Sequence, residues 1–183
     1  TLCVGKLHLT QAQDTSIAGP FDHWPVQRGY DRYYGFLDGE TDQFYPSLTY
    51  DNHHVEPPFG PEDGYHLTED LTDKAISFVA DSKQVAPNKP FFAYYAPGTA
   101  HAPHHAPKEW IDTFKCKFDH GWDRQRELTL ARQKEMGIIP ANTKLTQRSK
   151  GIDAWDSLNP DEKKVFARMM EVYAAALAHC DHH

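Results

Sequence analysis

The residues best able to do chemistry in this chain are a lysine and several histidines, gathered in short runs. The stretch GTAHAPHHAP sets His101, His104 and His105 within five positions. Imidazoles grouped this way can ligate a metal, move protons near neutral pH, or stand in a solvated loop. Pro103 imposes an extended path, so no helical register turns two rings toward one target, and no adjacent cysteine or carboxylate is an evident fourth ligand. That favours a single histidine facing an oxyanion, with the other two supporting it or solvated. Near the start, VGKLHLT offers Lys6 and His8, which project to the same side of an extended segment. Lysine there supplies fixed positive charge and histidine a mobile proton, a pair suited to an anionic substrate. The plainer reading is a polar surface turn.

Two further runs carry titratable groups. DRYYGFLDGETDQFYPSLTYDNHHVEPP sets Asp38, Glu40, Asp42 and Asp51 among aromatics. It lacks the spacing of a calcium-binding helix–loop–helix and reads as a pocket wall or lid, or as an ordinary loop. AHCDHH, with His179, Asp181, His182 and His183, reads as a polar helix face and is given no role. There is no G-x-S-x-G elbow, phosphate-binding P-loop, dinucleotide fingerprint or H-E-x-x-H zinc motif.

The elements that must position these groups follow from hydrophobic pattern and punctuation. Residues 1–9 read as a buried strand running out through Gly5 into a turn. Residues 10–66 are aromatic-rich and interrupted by glycine and proline, and they predict an ordered irregular surface more than a linker. LTEDLTDKAISFVADSKQ predicts a helix capped by Thr68, with Leu71, Ala75, Phe78 and Val79 on one apolar face. FFAYYA, residues 91–96, is a continuous apolar run that predicts a central strand covered on both faces. If it runs parallel to the first strand, His101 shares a rim with Lys6 and His8, where open α/β sheets bind ligands. Residues 122–136 predict a charged helix closed by Gly137. Asn159-Pro160-Asp161-Glu162 predicts the start of a last helix, with Val165, Met169, Val172, Tyr173, Ala176 and Cys180 as its buried stripe. The order strand, irregular segment, helix, strand is an α/β pattern.

The bulk composition excludes several partners. The 183 residues carry a formal net charge of -7 and no basic block, which argues against nucleic acid and anionic membrane surfaces. No run is long and apolar enough for a membrane span. Only 39% of residues are hydrophobic and mean hydropathy is -0.70, lean for a self-contained domain. Cys3, Cys116 and Cys180 are far apart and form neither a disulfide framework nor a zinc pattern. Both ends read as cut, in a strand already under way and in a helix without a stop signal, so the expectation is an internal stretch of a longer protein.

Several of these segments resemble the sulfatase family. VGKLHLT resembles that family's G-K-W-H-L motif, and PFFAYYAPGTAHAPHHAP its strand-and-loop P-F-F-x-Y…H-x-P…P. GYDRYYGFLDGETDQFYPSLTYDNHHVEPP and ARMMEVYAAALAHCDHH are similar to bacterial arylsulfatases, so the resemblance runs in order along the whole chain. It implies an alkaline-phosphatase-like α/β fold, a mostly parallel sheet flanked by helices, with residues 1–183 the central part of one catalytic domain truncated at both ends. It implies hydrolysis of a small-molecule sulfate ester by a formylglycine nucleophile beside Ca2+, the formylglycine being made by a formylglycine-generating or anaerobic maturation enzyme. Lys6 then matches the lysine that contacts sulfate and formylglycine. His8 matches the histidine that bonds the formylglycine hydroxyl and helps expel sulfate, and His101 the one that protonates the leaving alcohol. His104 and His105 would line the mouth of the substrate site.

Two departures qualify the match. Leu7 stands where the motif has Trp, which alters packing and removes no reactive group. The cysteines stand in CVGKL, CKFDH and CDHH, none of them C-x-P-x-R. The nucleophile, made from a Cys or Ser, is therefore expected upstream of residue 1 and the Ca2+ ligands upstream and downstream of these residues. The segment alone is expected to be inactive, and no metal site is expected within it. The alternatives are a phosphonate or phosphodiester hydrolase of the same superfamily, a sulfated-ligand-binding module without catalysis, and a histidine metal-binding domain. The compartment stays open between bacterial cytoplasm and periplasm.

Overall fold

Leu2, Cys3 and Val4 open the chain in strand β1 (Leu2–Lys6), and their side chains alternate between two separate cores. The protein is described here by a computed structural model covering residues 1–183. β1 pairs in parallel with β2 (Arg32–Phe36) on one side and with β5 (Ala93–Ala96) on the other. β3 (Leu48–Tyr50) runs antiparallel to β2, and β4 (His53–Val55) antiparallel to β3. The sheet order is β4-β3-β2-β1-β5, so a parallel centre is extended at one side by an antiparallel hairpin. The α/β class read from the pattern is the one adopted, with a mixed sheet.

One face of the sheet is covered by helix α1 (Leu67–Val85), whose Leu67, Leu71 and Phe78 pack on Leu2, Val4, Tyr34, Phe36 and Leu48. Ala75 and Val79 complete the apolar stripe that the spacing predicted. The cap differs from expectation. His66 is extended and its side chain accepts the Thr68 N–H, while Thr68 itself lies one position inside the helix, buried. The other face carries Cys3, Trp24, Tyr33 and Leu37, with Phe21, Val26, Tyr30 and Leu7 packed around them. Trp24 is fully buried and its indole N–H donates to the Asp14 carbonyl at 2.6 Å. Each such side chain taken out of water is worth about 1.5–3 kcal/mol.

Two expectations about strands are corrected. Residues 10–66 contain β2, β3 and β4, which the pattern did not reveal, because RYYGF lacks alternation and β3 and β4 are three residues each. Within residues 1–183, FFAYYA is not a central strand covered on both faces. Only Ala93–Ala96 is strand, it lies at the edge of the sheet, and Phe91, Phe92, Tyr94 and Tyr95 are exposed. An apolar run reports a capacity for burial, and which neighbour covers it is not written locally.

The chain divides into two compact units, residues 1–106 with 176–183 and residues 107–175. The second unit holds the short α2 (Lys108–Thr113), α3 (Gly121–Glu135) and most of α4 (Pro160–His182). Trp155 packs edge-on against Trp122, and Trp122 against Phe166. α4 begins as its sequence prescribes: Asn159 Oδ1 accepts the amides of Asp161 and Glu162, and the Glu162 carboxylate accepts the Asn159 amide. Its buried stripe is not the predicted one. Val165, Met169 and Tyr173 are exposed, Val172 and Cys180 half-buried and Ala176 buried as expected, whereas Ala167, Glu171, Ala175 and His179 are buried at four-residue steps. The polar members of that stripe hid it, since Glu171 is buried by accepting the Cys116 amide at 2.7 Å and pairing with Arg168.

Candidate active site at the C-terminal rim of the sheet

Because β1, β2 and β5 are parallel, the segments leaving their C-terminal ends emerge at one rim. Lys6 pairs with Phe36 and Gly5 with Ala96, so residues 6–10, 37–45 and 97–106 start level with one another. The close approach rests on glycine. Gly5 has φ +104°, and a Cβ there would stand 2.0 Å from the Ala96 carbonyl oxygen. One on Gly35 would stand 2.1 Å from the Gly5 oxygen.

β1 ends at Lys6, which is half-buried at the rim. The chain then leaves extended geometry, and His8 adopts a left-handed φ of +53°. The alternation expected to carry Lys6 and His8 to one side therefore stops at the strand end. Leu7 turns in against the Trp24 and Tyr33 core. The exposed His8 ring lies against Gly39, in the segment that follows β2; a Cβ on Gly39 would come within 2.8 Å of its Cε1.

The histidine loop after β5 brings its three rings to three different places. His101 is exposed, its Nδ1 is 2.8 Å from the Ala102 carbonyl, and Glu40 Oε2 lies 3.4 Å from the same nitrogen. His104 Nε2 reaches the Ala100 carbonyl at 3.3 Å. His105 is turned inward: its Nδ1 accepts the Gln43 amide at 3.4 Å beside Asp42, and its ring stacks on Phe44. The Asp42 carboxyl feels burial pushing it up, but the Phe44 and Tyr45 amides and His105 outweigh this and hold it below the usual range. The three rings thus do not share a ligand point. Glu40 and Asp42 sit beside His101 and His105, while Asp51 pairs with Arg32 and accepts the Tyr33 amide near the opposite end of β2.

A group that the sequence left without a role comes together elsewhere. Glu69 in the first turn of α1 lies against His179 and His183 at the end of α4. His66 packs edge-on against His179 at 4.3 Å between ring centroids, and its Nε2 donates to the His105 carbonyl. Burial first, and then neighbouring His179, pushes the His66 imidazole down to about 4, so it is neutral at physiological pH. Its Nδ1 is the acceptor in the α1 cap and its Nε2 carries the proton. None of this was legible locally, because Glu69 and His179 are 110 positions apart. As for the cysteines, burial pushes the Cys3 thiol up to about 12, a packed and unreactive group.

A parallel sheet centre with a lysine, histidines and carboxylates on the segments leaving its C-terminal rim defines an α/β protein with its titratable groups at the strand ends. Comparison with known proteins gives the family: the sulfatase family profile matches residues 1–183. The chain is 29% identical over 188 residues to an arylsulfatase of Klebsiella aerogenes, covering 99% of this chain and 38% of that protein. It is 31% identical over 167 residues to an uncharacterized sulfatase of Schizosaccharomyces pombe, covering 84% and 30% respectively. The crystal structure of Ps i-CgsB in complex with k-i-k-neocarrahexaose matches it with a TM-score of 0.50 at 20% identity, a likeness of fold covering 96% of this chain and 32% of that one. The chain belongs to the sulfatase family, and its α/β fold with a mixed sheet is consistent with the alkaline-phosphatase-like architecture. It spans 38% and 30% of the lengths of the two curated relatives.

Proposed function

We propose that the protein hydrolyses sulfate esters, aryl sulfates among them, and that residues 1–183 are the central part of its catalytic domain. The observation that supports this reading is that the segments carrying Lys6, His8 and His101 leave level ends of parallel strands in a chain matched along its length by the sulfatase profile. Sulfate-ester cleavage builds negative charge on the bridging oxygen and on the nonbridging oxygens. A fixed cation and a proton donor placed there stabilise the transition state more than the ground state.

In this reading Lys6 holds a nonbridging sulfate oxygen with its ammonium. His101, beside the Glu40 carboxylate, gives a proton to the departing alcohol. His8, seated against Gly39, moves the proton that releases sulfate afterwards. His104 and His105 act through the loop, His105 by fixing it to residues 42–44. Formylglycine and Ca2+ belong to residues other than these 183, since no cysteine here stands in the modification motif and the rim carboxylates do not gather around one point. The roles of Lys6, His8 and His101 do not depend on where that ion sits. The substrate is a small sulfate ester, and the partner protein is the enzyme that makes formylglycine.

The test is turnover by the full-length protein of 4-nitrophenyl sulfate and of an aryl phosphonate. The expected result is faster sulfate release, reduced at least a hundredfold in K6A and H101A, while the 183-residue segment alone releases none. Preference for the phosphonate would move the assignment to a phosphonate hydrolase. No turnover of either by the matured protein, or wild-type rates in K6A and H101A, would overturn it.

A further inference from the structure

We infer that Glu69, His179 and His183 form a zinc site that clamps the first turn of α1 to the last turn of α4. His179 stands in the last turn of α4 and His183 just past it, its amide bonded to the His179 carbonyl at 3.4 Å, so the four-residue spacing that turns two imidazoles toward one target is kept. Glu69 comes from the other element, and its Oε1 lies 3.2 Å from His179 Nε2 and 3.8 Å from His183 Nε2. All three potential ligand atoms fall within 4.8 Å of one another. Zinc bonds of about 2.0–2.2 Å in a tetrahedron separate neighbouring ligand atoms by about 3.4 Å. The two separations from Glu69 bracket that value, and the two histidines lie within 4.8 Å of each other, so side-chain rotation can close the set.

The donor chemistry selects the ion. Two imidazoles and one carboxylate suit Zn2+ and disfavour Ca2+ or Mg2+, which take oxygen ligands. Three protein donors leave one coordination position for water, on the side where His183 meets solvent.

The surroundings hold the site in place. His179 is almost fully buried against the neutral His66 ring, which restricts it to one orientation. Through His66 the same contact reaches the His105 carbonyl, so an ion here would brace the loop that carries His101. In the protein as it stands His179 Nε2 hydrogen-bonds the Glu69 carboxylate and His183 Nε2 lies farther from the same oxygen, so the three donors are already gathered at one point.

The inference is independent of the sulfate-ester reading, because it is read by metal content and not by turnover. The full-length protein is stripped with a chelator, titrated with Zn2+ by calorimetry, and loaded with Co2+ for visible spectroscopy. Wild-type protein is expected to take up one more equivalent of Zn2+ than E69Q or H183A, and to show tetrahedral Co2+ bands that both variants lack. H101A is expected to keep both signals. Glu69→Gln is isosteric and the His183 ring meets solvent, so circular dichroism should show both variants folded. Equal zinc uptake in wild type, E69Q and H183A, or loss of the extra equivalent in H101A, would overturn the site.

Discussion

His8 and Gly39 occupy one space: the imidazole of the first lies where any side chain on the second would begin. A Cβ at position 39 would stand 2.8 Å from His8 Cε1 and 2.9 Å from Nε2. The obstacle is the far end of an exposed side chain, so the ring moves and the backbone does not. Gly39→Ala is therefore expected to cost catalysis and spare stability. A displacement of about 1 Å at a reacting group lowers rates by about a hundredfold. Steady-state kinetics on 4-nitrophenyl sulfate beside a melting curve checks this; a large fall in Tm with a normal kcat would contradict it.

His101 is the group assigned to protonate the leaving alcohol, and that role has a signature beyond lost activity. General acid catalysis contributes about 10²–10⁴-fold and matters most when the departing oxygen is basic. His101→Ala should therefore slow phenyl sulfate by at least a hundredfold and 4-nitrophenyl sulfate by distinctly less. A residue that only shaped the loop would slow both substrates equally. The slope of log kcat/KM against leaving-group pKa, wild type against variant, separates the two cases.

Gly5 is the point where three parallel strands meet most closely. Its φ of +104° is a conformation that side-chain-bearing residues rarely adopt, and a Cβ would stand 2.0 Å from the Ala96 oxygen. The backbone term alone costs about 1–3 kcal/mol, and the overlap with a carbonyl adds a further cost of about 1–3 kcal/mol. Gly5→Ala should lower the denaturant midpoint markedly without changing the m-value. Because Gly5 immediately precedes Lys6, whatever fraction stays folded should also lose activity. A midpoint within error of wild type would refute the close approach.

How much of this was legible depends on how local each signal is. Asn159, Pro160 and Glu162 announce the start of α4 because a cap is settled within four residues. Leu71 and Phe78 likewise marked the face of α1 that is buried. Lys6, His8 and His101 stood out by residue type, and the prediction of parallel strands put them on one rim, as observed for the strand ends. Phe91 and Phe92 stay uncovered within residues 1–183, since hydrophobicity does not specify the element that will cover it. The stripe on α4 was misread for the converse reason: Glu171 and His179 are polar, and burial became tolerable only through partners in other elements. Positive φ at His8 and the His66 cap were equally hidden, since both are imposed by tertiary packing.

His66 gives the last prediction, on stability against pH. In the unfolded chain its imidazole titrates near the usual 6.5; in the folded protein burial, and then His179, push it down to about 4. The neighbouring His183 acts in the same direction, while Glu69 and the bond to the His105 carbonyl oppose it. Between these two values the unfolded state binds a proton that the folded state does not, so stability falls as pH drops from 6.5 towards 4 and this contribution is flat outside that window. The gap corresponds to about 3 kcal/mol. His66→Asn retains an acceptor for the Thr68 amide and removes the titration, so the variant should be less stable at pH near 7.5, where the ring's packing is lost, yet markedly less sensitive to acid. Urea midpoints at several pH values in the presence of chelator measure it. If wild type and His66→Asn lose stability in parallel between those two pH values, the buried neutral imidazole is not the group responsible, and the cap geometry assigned to it would have to be abandoned.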